Sequence, residues 1–191
     1  ATLAYDEKSL AQHLGRKTLA VVCVHQFGIP HRLDTIAEPI RDSGACLIED
    51  AAQAMGSTVH GQAAGTVGDF GLFSFGPGKP LALAGGGAVT VNSSSARDRL
   101  AEDWANITGC GRMRSLFSAF RYAALGLIPQ PPSWRLAHIN GPTQVAVSAA
   151  EGVGKHLGMA PSQAAAGALL LAELSDYSSH RRRTALHLKA T

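Results

Sequence analysis

Ile48-Glu49-Asp50-Ala51-Ala52-Gln53-Ala54 ends a hydrophobic run of strand length on an acid, and a second stretch, Gly68-Asp69-Phe70-Gly71-Leu72-Phe73-Ser74-Phe75-Gly76-Pro77-Gly78-Lys79, follows downstream. Working outward, Leu19 to Val24 is an uninterrupted apolar run, as expected of a parallel strand buried on both faces. Asp6 to Leu14 reads as a short helix. Asp34 reads as the cap of a second helix that runs to about Asp42 and stops at Ser43-Gly44. Ala45 to Ile48 is a second buried strand ending at Asp50. The Gly- and Thr-rich stretch from Ser57 to Thr66 reads as a hairpin. Phe70 to Phe75 and Ala88 to Val91 are further strands joined by the loop that carries Lys79, and Asn92 to Ser95 cap a helix to about Asn106. This order predicts an α/β fold with ligands at the carboxyl ends of the strands, where Asp50 and Ser74 both fall.

The residue types at those ends match one cofactor chemistry. Pyridoxal phosphate needs a lysine amine to condense with its aldehyde and a carboxylate to keep its ring nitrogen protonated, so that the ring can accept electrons. Lys79 and Asp50 fill these roles, and the Ser74 hydroxyl can donate to the cofactor phosphate. Gln53, one turn after Asp50, would share a helix face with it and pack beside the ring. Each residue also has a plain structural reading: Asp50 as a helix cap, Lys79 as a solvated loop residue, Gln53 as a surface residue and Ser74 as a strand end. The glycines around Lys79 favour a sharp bend that aims the amine inward. His25 reads as a satisfied strand-end histidine rather than a catalytic group.

These runs resemble those of the sugar aminotransferases of the DegT/DnrJ/EryC1/StrS family, which are fold-type I pyridoxal phosphate enzymes. The resemblance covers roughly residues 18 to 92 and resumes over 154 to 183. Val24-His25-Gln26-Phe27-Gly28 resembles the family's Val-His-x-x-Gly, and Asp50 to Ala54 its Asp-Ala-Ala-Gln-Ala. Gly68 to Lys79 resembles Gly-Asp-x-Gly-x-Phe-Ser-Phe-x-x-x-Lys, and Gly86-Gly87 the glycine pair after it. The resemblance implies a three-layer sandwich around a mostly parallel sheet, the large domain of such enzymes. It also implies amino transfer, with glutamate as donor, to a keto sugar attached to a nucleotide, in the making of cell-surface polysaccharides or antibiotic sugars. The enzyme would be a cytoplasmic homodimer. Where the family has Gly-x-Asn-x-Arg-Met, this chain has Gly154-Lys155-His156-Leu157-Gly158-Met159, so His156 stands at the asparagine position, which contacts the cofactor phosphate of the partner subunit. Relatives that act as sugar dehydratases carry histidine at the lysine position. A relative without catalytic function, serving as a partner subunit, is a further reading.

Against the family pattern, residues 1–108 correspond to the core of the cofactor-binding domain, 109–153 to an insertion or helical connection, and 154–191 to a long helix leading toward a C-terminal domain. The stretch reads as an internal segment, with the family's phosphate loop and stacking aromatic expected before Ala1. Ser115 to Ile128 is an apolar helix candidate broken by Pro129-Gln130-Pro131-Pro132, too short to span a bilayer. A long helix opens at Gln163 and ends near Arg181-Arg182-Arg183, a cationic last turn suited to the helix dipole.

With 191 residues, 46% hydrophobic and 16% charged, the chain can bury one sizeable core, and a net charge of +3 is too small and dispersed to point to nucleic acid. Cys23, Cys46 and Cys110 read as reduced thiols rather than a disulfide or zinc site. Gly76-Pro77-Gly78-Lys79 is no nucleotide-triphosphate loop, because Phe73 and Pro80 stand where that motif needs a glycine and a hydroxyl residue.

Overall fold

The computed structural model describes residues 5–76, 78–83, 85–105, 109, 111, 113, 115–117, 119–120 and 158–190. His156, Cys110 and the apolar stretch beyond residue 120 lie outside them.

Helix α1 (Glu7–His13) starts where the Asp6 carboxylate accepts the N–H groups of Lys8 and Ser9 at 3.0 and 3.1 Å. Those donors have no partner inside the helix, so the cap supplies one. Strand β1 (Ala20–Val24) follows, then α2 (Ala37–Asp42) and β2 (Cys46–Asp50). The two strands are parallel and in register from Ala20 opposite Cys46 to Val24 opposite Asp50. Thr58–Val59 (β3) and Gln62–Ala63 (β4) form a small antiparallel hairpin whose turn residues, His60 and Gly61, both have positive φ. Strand β5 (Phe70–Ser74) runs parallel to β2, and β6 (Gly87–Val91) runs antiparallel to β5, giving the sheet order β1-β2-β5-β6. A short 3-10 turn (Gln26–Gly28) follows β1, and the helices α3 (Ser94–Ala105), α4 (Pro161–Ala172) and α5 (Leu174–Ala190) come after the sheet.

The main core lies on one face of this sheet. Cys23, Leu33, Ile36, Ala37, Ile40, Ala45 and Leu47 are buried together between β1, β2 and α2. Ile40 and Leu47 are fully buried, worth about 1.5–3 kcal/mol each in transfer from water. Burial pushes the Cys23 thiol up to about 12, which keeps it protonated and inert. On the opposite face Val22 is 48%, Leu72 38% and Val89 43% exposed. The expectation that β1 is buried on both faces therefore fails: α2 packs on the Leu47 side alone.

Two helix boundaries also differ from the sequence reading. Asp34 does not cap α2. Its carboxylate takes the Arg32 guanidinium at 2.7 Å, and the helix begins later, with Ile36 at the cap position and no side-chain cap bond. The long C-terminal helix is two helices, broken at Glu173, and the second continues to Ala190. The three arginines thus lie in mid-helix, where the dipole offers them nothing. Helix α4 packs through Gly167 onto Leu83, and Ala166 and Met159 complete a second cluster with Phe75, Leu81 and Leu83. Gln163 fastens this contact by donating to the Leu83 carbonyl at 3.1 Å.

Candidate active site

Asp50 is the last residue of β2, and its neighbours in register are Val24 on β1 and Leu72 on β5. Side chains alternate faces along a strand, so Ser74, two residues beyond Leu72, lies on the same face of the sheet as Asp50 and closes the adjacent strand. The strand end is tied down by its backbone: His25 N–H donates to the Asp50 carbonyl at 3.0 Å, and Ala51 N–H to Leu72 at 2.9 Å. The Asp50 carboxylate accepts Ala52 N–H at 3.0 Å through one oxygen. The residues after it form tight turns rather than a helix, so Gln53 does not share a helix face with Asp50. Its amide oxygen instead accepts the Phe27 N–H at 3.0 Å.

Beyond Ser74 the chain enters the loop that carries Lys79. Ser74 Oγ accepts the Gly76 N–H at 3.3 Å, and Lys79 N–H closes a turn on the Gly76 carbonyl at 3.2 Å. Gly78 has φ +78, a conformation that costs a side-chain-bearing residue and costs glycine nothing. The base of the loop is zipped by Phe75, whose N–H donates to Gly86 while its carbonyl accepts from Leu83 and Gly85. Lys79 itself is half-buried, and among the described residues no carboxylate forms an ion pair with it.

A network that the sequence reading missed lies under this edge. Glu49 points to the face opposite Asp50 and is 1% exposed. Its carboxylate accepts from His25 Nε2 at 2.9 Å and from the N–H groups of Gly65, Val67 and Gly68 at 2.8, 2.6 and 2.7 Å. His25 Nδ1 accepts the His31 N–H at 3.0 Å, which fixes the tautomer: the ring proton sits on Nε2 and donates to Glu49. Burial by itself would raise the Glu49 pKa, but the bonds from His25 and from the Gly68, Gly65 and Val67 amides outweigh it and hold the carboxyl below its usual range. Asn92 caps the same loop from β6, donating to the carbonyls of Gly65 and Gly68 at 3.2 and 2.9 Å. Gly71 must be glycine because a Cβ there would overlap the Gly65 carbonyl and the Thr90 hydroxyl. The only trace of this hub in the sequence is an acid inside an apolar strand, followed by the glycine-rich run from Gly65 to Gly68.

The donor set at the sheet edge fits pyridoxal phosphate: an amine with no carboxylate partner among the described residues for the aldehyde, a carboxylate for the ring nitrogen and a hydroxyl for the phosphate. Among the described residues a Cβ at Gly78 would meet nothing within 4 Å and one at Gly76 only Ser74 Oγ, at 3.5 Å.

A profile of the DegT/DnrJ/EryC1/StrS aminotransferase family matches residues 1–191. The chain belongs to this family. It is 39% identical over 83 residues to a UDP-N-acetyl-3-dehydro-alpha-D-glucosamine 3-aminotransferase of Acidithiobacillus ferrooxidans, covering 44% of this chain and 22% of that protein. To the GDP-perosamine synthase of Escherichia coli O157:H7 it is 37% identical over 90 residues, covering 47% of this chain and 25% of that protein. Among solved structures, the aminotransferase TlmJ from Streptoalloteichus hindustanus is 40% identical, with a TM-score of 0.45 over 49% of this chain and 25% of TlmJ. The chain thus spans about a quarter of the length of the relatives it matches. As a member of the DegT/DnrJ/EryC1/StrS family it has the α/β architecture of pyridoxal phosphate aminotransferases, with a mostly parallel sheet. None of the described helices is long and apolar enough to cross a membrane.

Proposed function

We propose that this chain carries the cofactor-holding core of a pyridoxal phosphate-dependent aminotransferase that moves an amino group from glutamate to a nucleotide-linked keto sugar. The observation that supports this most is the placing of Asp50 and Ser74 on one face at adjacent strand ends, with the Lys79 turn leaving the second strand. When bound, the cofactor supplies an electron sink for the charge that develops on the amino donor's α-carbon. Lys79 would hold the cofactor through its amine and would serve as the base that takes the proton from the donor carbon. The Asp50 carboxylate would hold a proton on the ring nitrogen, a role that a neutral amide cannot fill. Ser74 and His156 bind phosphate oxygens, the latter across a dimer interface, and Gln53 borders the ring. Lys79 also favours amino transfer over the dehydration of histidine-bearing relatives, because an amine can form the covalent link and an imidazole cannot.

Residues 1–108 serve in this reading as the cofactor-binding core, with 109–153 a connection and 154–191 the helical exit. Borohydride treatment of the cofactor-loaded protein followed by peptide mapping tests the assignment. The cofactor should be fixed to Lys79, and a label on any other lysine overturns it.

A further inference from the structure

Among the described residues β1 is one edge of the sheet, in the order β1-β2-β5-β6. Its backbone alternates sides. The Leu19 carbonyl and the His25 N–H bond to Cys46 and Asp50 of β2, so the odd-numbered residues turn their polar groups inward, and Ala20, Val22 and Val24 turn theirs to the open side. A row of free N–H and C=O groups on an edge is a template for another strand. Two of these groups are taken. The Tyr5 hydroxyl donates to the Val22 carbonyl at 2.5 Å and accepts the Val24 N–H at 3.3 Å. These groups flank Cys23, and a residue of a parallel strand placed opposite Cys23 would bond to the same pair, its N–H to Val22 and its carbonyl to Val24. One hydroxyl, donor and acceptor at once, therefore fills the place of one residue of a further strand.

The ring that carries the hydroxyl is held from two sides. Tyr5 precedes the cap residue Asp6, and Leu10 lies four residues beyond that cap, the two places of a hydrophobic staple; both side chains pack against the core cluster that holds Cys23, Ile40 and Leu47. The His31 ring meets Tyr5 edge-on, with centroids 5.4 Å apart and planes at 75°. His31 is fixed in turn by its N–H on His25 Nδ1, and so by the Glu49 network. Burial, with the Cys23 thiol beside it, raises the Tyr5 pKa, so the hydroxyl keeps the proton that it donates. A single partner would satisfy a half-buried tyrosine; bonding on both sides of one residue closes the edge.

We propose that Tyr5 is an intramolecular plug that keeps the outer edge of β1 from pairing with the sheet edge of a second copy of this chain. Without the hydroxyl, the Val22 carbonyl and the Val24 N–H join the outward groups of Ala20, and the open edge runs the length of the strand. The proposal is independent of the amino-transfer reading.

Amide hydrogen exchange and sedimentation velocity on the 191-residue protein test it. In the wild type the Val24 N–H should exchange more slowly than those of Ala20 and Val22, which face the same way with no partner among the described residues. Equal rates overturn the proposal. Tyr5→Phe keeps the ring and removes the hydroxyl. At low protein concentration it should speed exchange at Val24 about 2- to 10-fold, the range for one lost hydrogen bond, and leave the inward His25 N–H unchanged. The same rise at both positions shows that Tyr5 merely stabilises the fold, and it overturns the plug. At high concentration the variant should self-associate about 10-fold more tightly than the wild type, with the Ala20 and Val22 amides newly protected in the associated form. Association equal to that of the wild type, or association that leaves those two amides exposed, overturns the proposal. Thermal melting shows whether the variant keeps the fold, and the wild-type rates decide the case by themselves if it does not.

Discussion

Glu49 and Lys79 are both ionisable groups near the carboxyl edge of β2 and β5, and the fold treats them in opposite ways. Glu49 is sealed from water and accepts from His25 and three backbone N–H groups, while Lys79 sits in a glycine turn with no carboxylate partner among the described residues. A buried charge costs several kcal/mol unless its hydrogen bonds are made, so the carboxylate is stable only as the centre of a fixed network. That network holds the loop from Gly65 to Gly68 and the end of β1 in place. An amine meant to form and break a covalent bond needs the reverse, because partners that stabilise its charge would oppose its reaction. The rigid floor lies beneath Asp50, and Lys79, the proposed reactive group, lies in the turn beyond β5.

The largest effect should come from breaking the free side of this contrast. Lys79→Ala should abolish cofactor capture and lower amino transfer by roughly 10²–10⁴-fold or more, yet leave the urea-unfolding free energy within about 0.5 kcal/mol, because nothing described depends on its side chain. Absorbance of the bound cofactor and a denaturation curve measure the two. Breaking the sealed side should do the converse. Glu49→Ala should destabilise the fold by about 3–5 kcal/mol, since it strands the His25 ring N–H and three amide donors in the interior. Glu49→Gln, which keeps one acceptor oxygen, should fall between. If Glu49→Ala unfolded like the wild type, the network would be decoration.

Asp50→Asn sharpens the comparison between adjacent residues of one strand. It should keep the fold, because an amide oxygen can still accept the Ala52 N–H, and lose most amino transfer, about 10²-fold. Steady-state rates beside a melting curve separate the two outcomes. The smallest effect is on acid stability. The folded pKa of Glu49 lies below its unfolded value of about 4.5, so its stabilisation is complete above that pH and is lost as pH falls through the lowered folded value. The urea midpoint should begin to drop below about pH 4.5, and the slope of that drop should be shallower in Glu49→Gln.

The parts of the fold that local chemistry controls were readable from the chain. Asp6 caps α1 as its position suggests, and His60-Gly61 makes the hairpin turn because both residues tolerate positive φ. Asp34 misleads because a nearer partner exists: Arg32, two residues away, takes the carboxylate that would have capped a helix. The break at Glu173 carries no glycine or proline to announce it, so one apolar and one polar helix read as a single long one. Gln53 was visible as a residue of interest, but the backbone it holds lies 26 positions away.

The sequence by itself determined the alternation of strands and helices, the acid that closes β2, the serine that closes β5 and the glycine-flanked lysine beyond it. Each follows from periodicity, turn chemistry or the needs of one reaction within a few residues of chain. Only the tertiary structure decided that Glu49 and Asp50, neighbours in sequence, do different work. The pleat turns one inward, toward donors 16 to 24 residues away, and leaves the other at the open edge. The closing of the β1 edge was likewise decided in three dimensions, because Tyr5 meets Val22 and Val24 from 17 and 19 positions earlier in the chain.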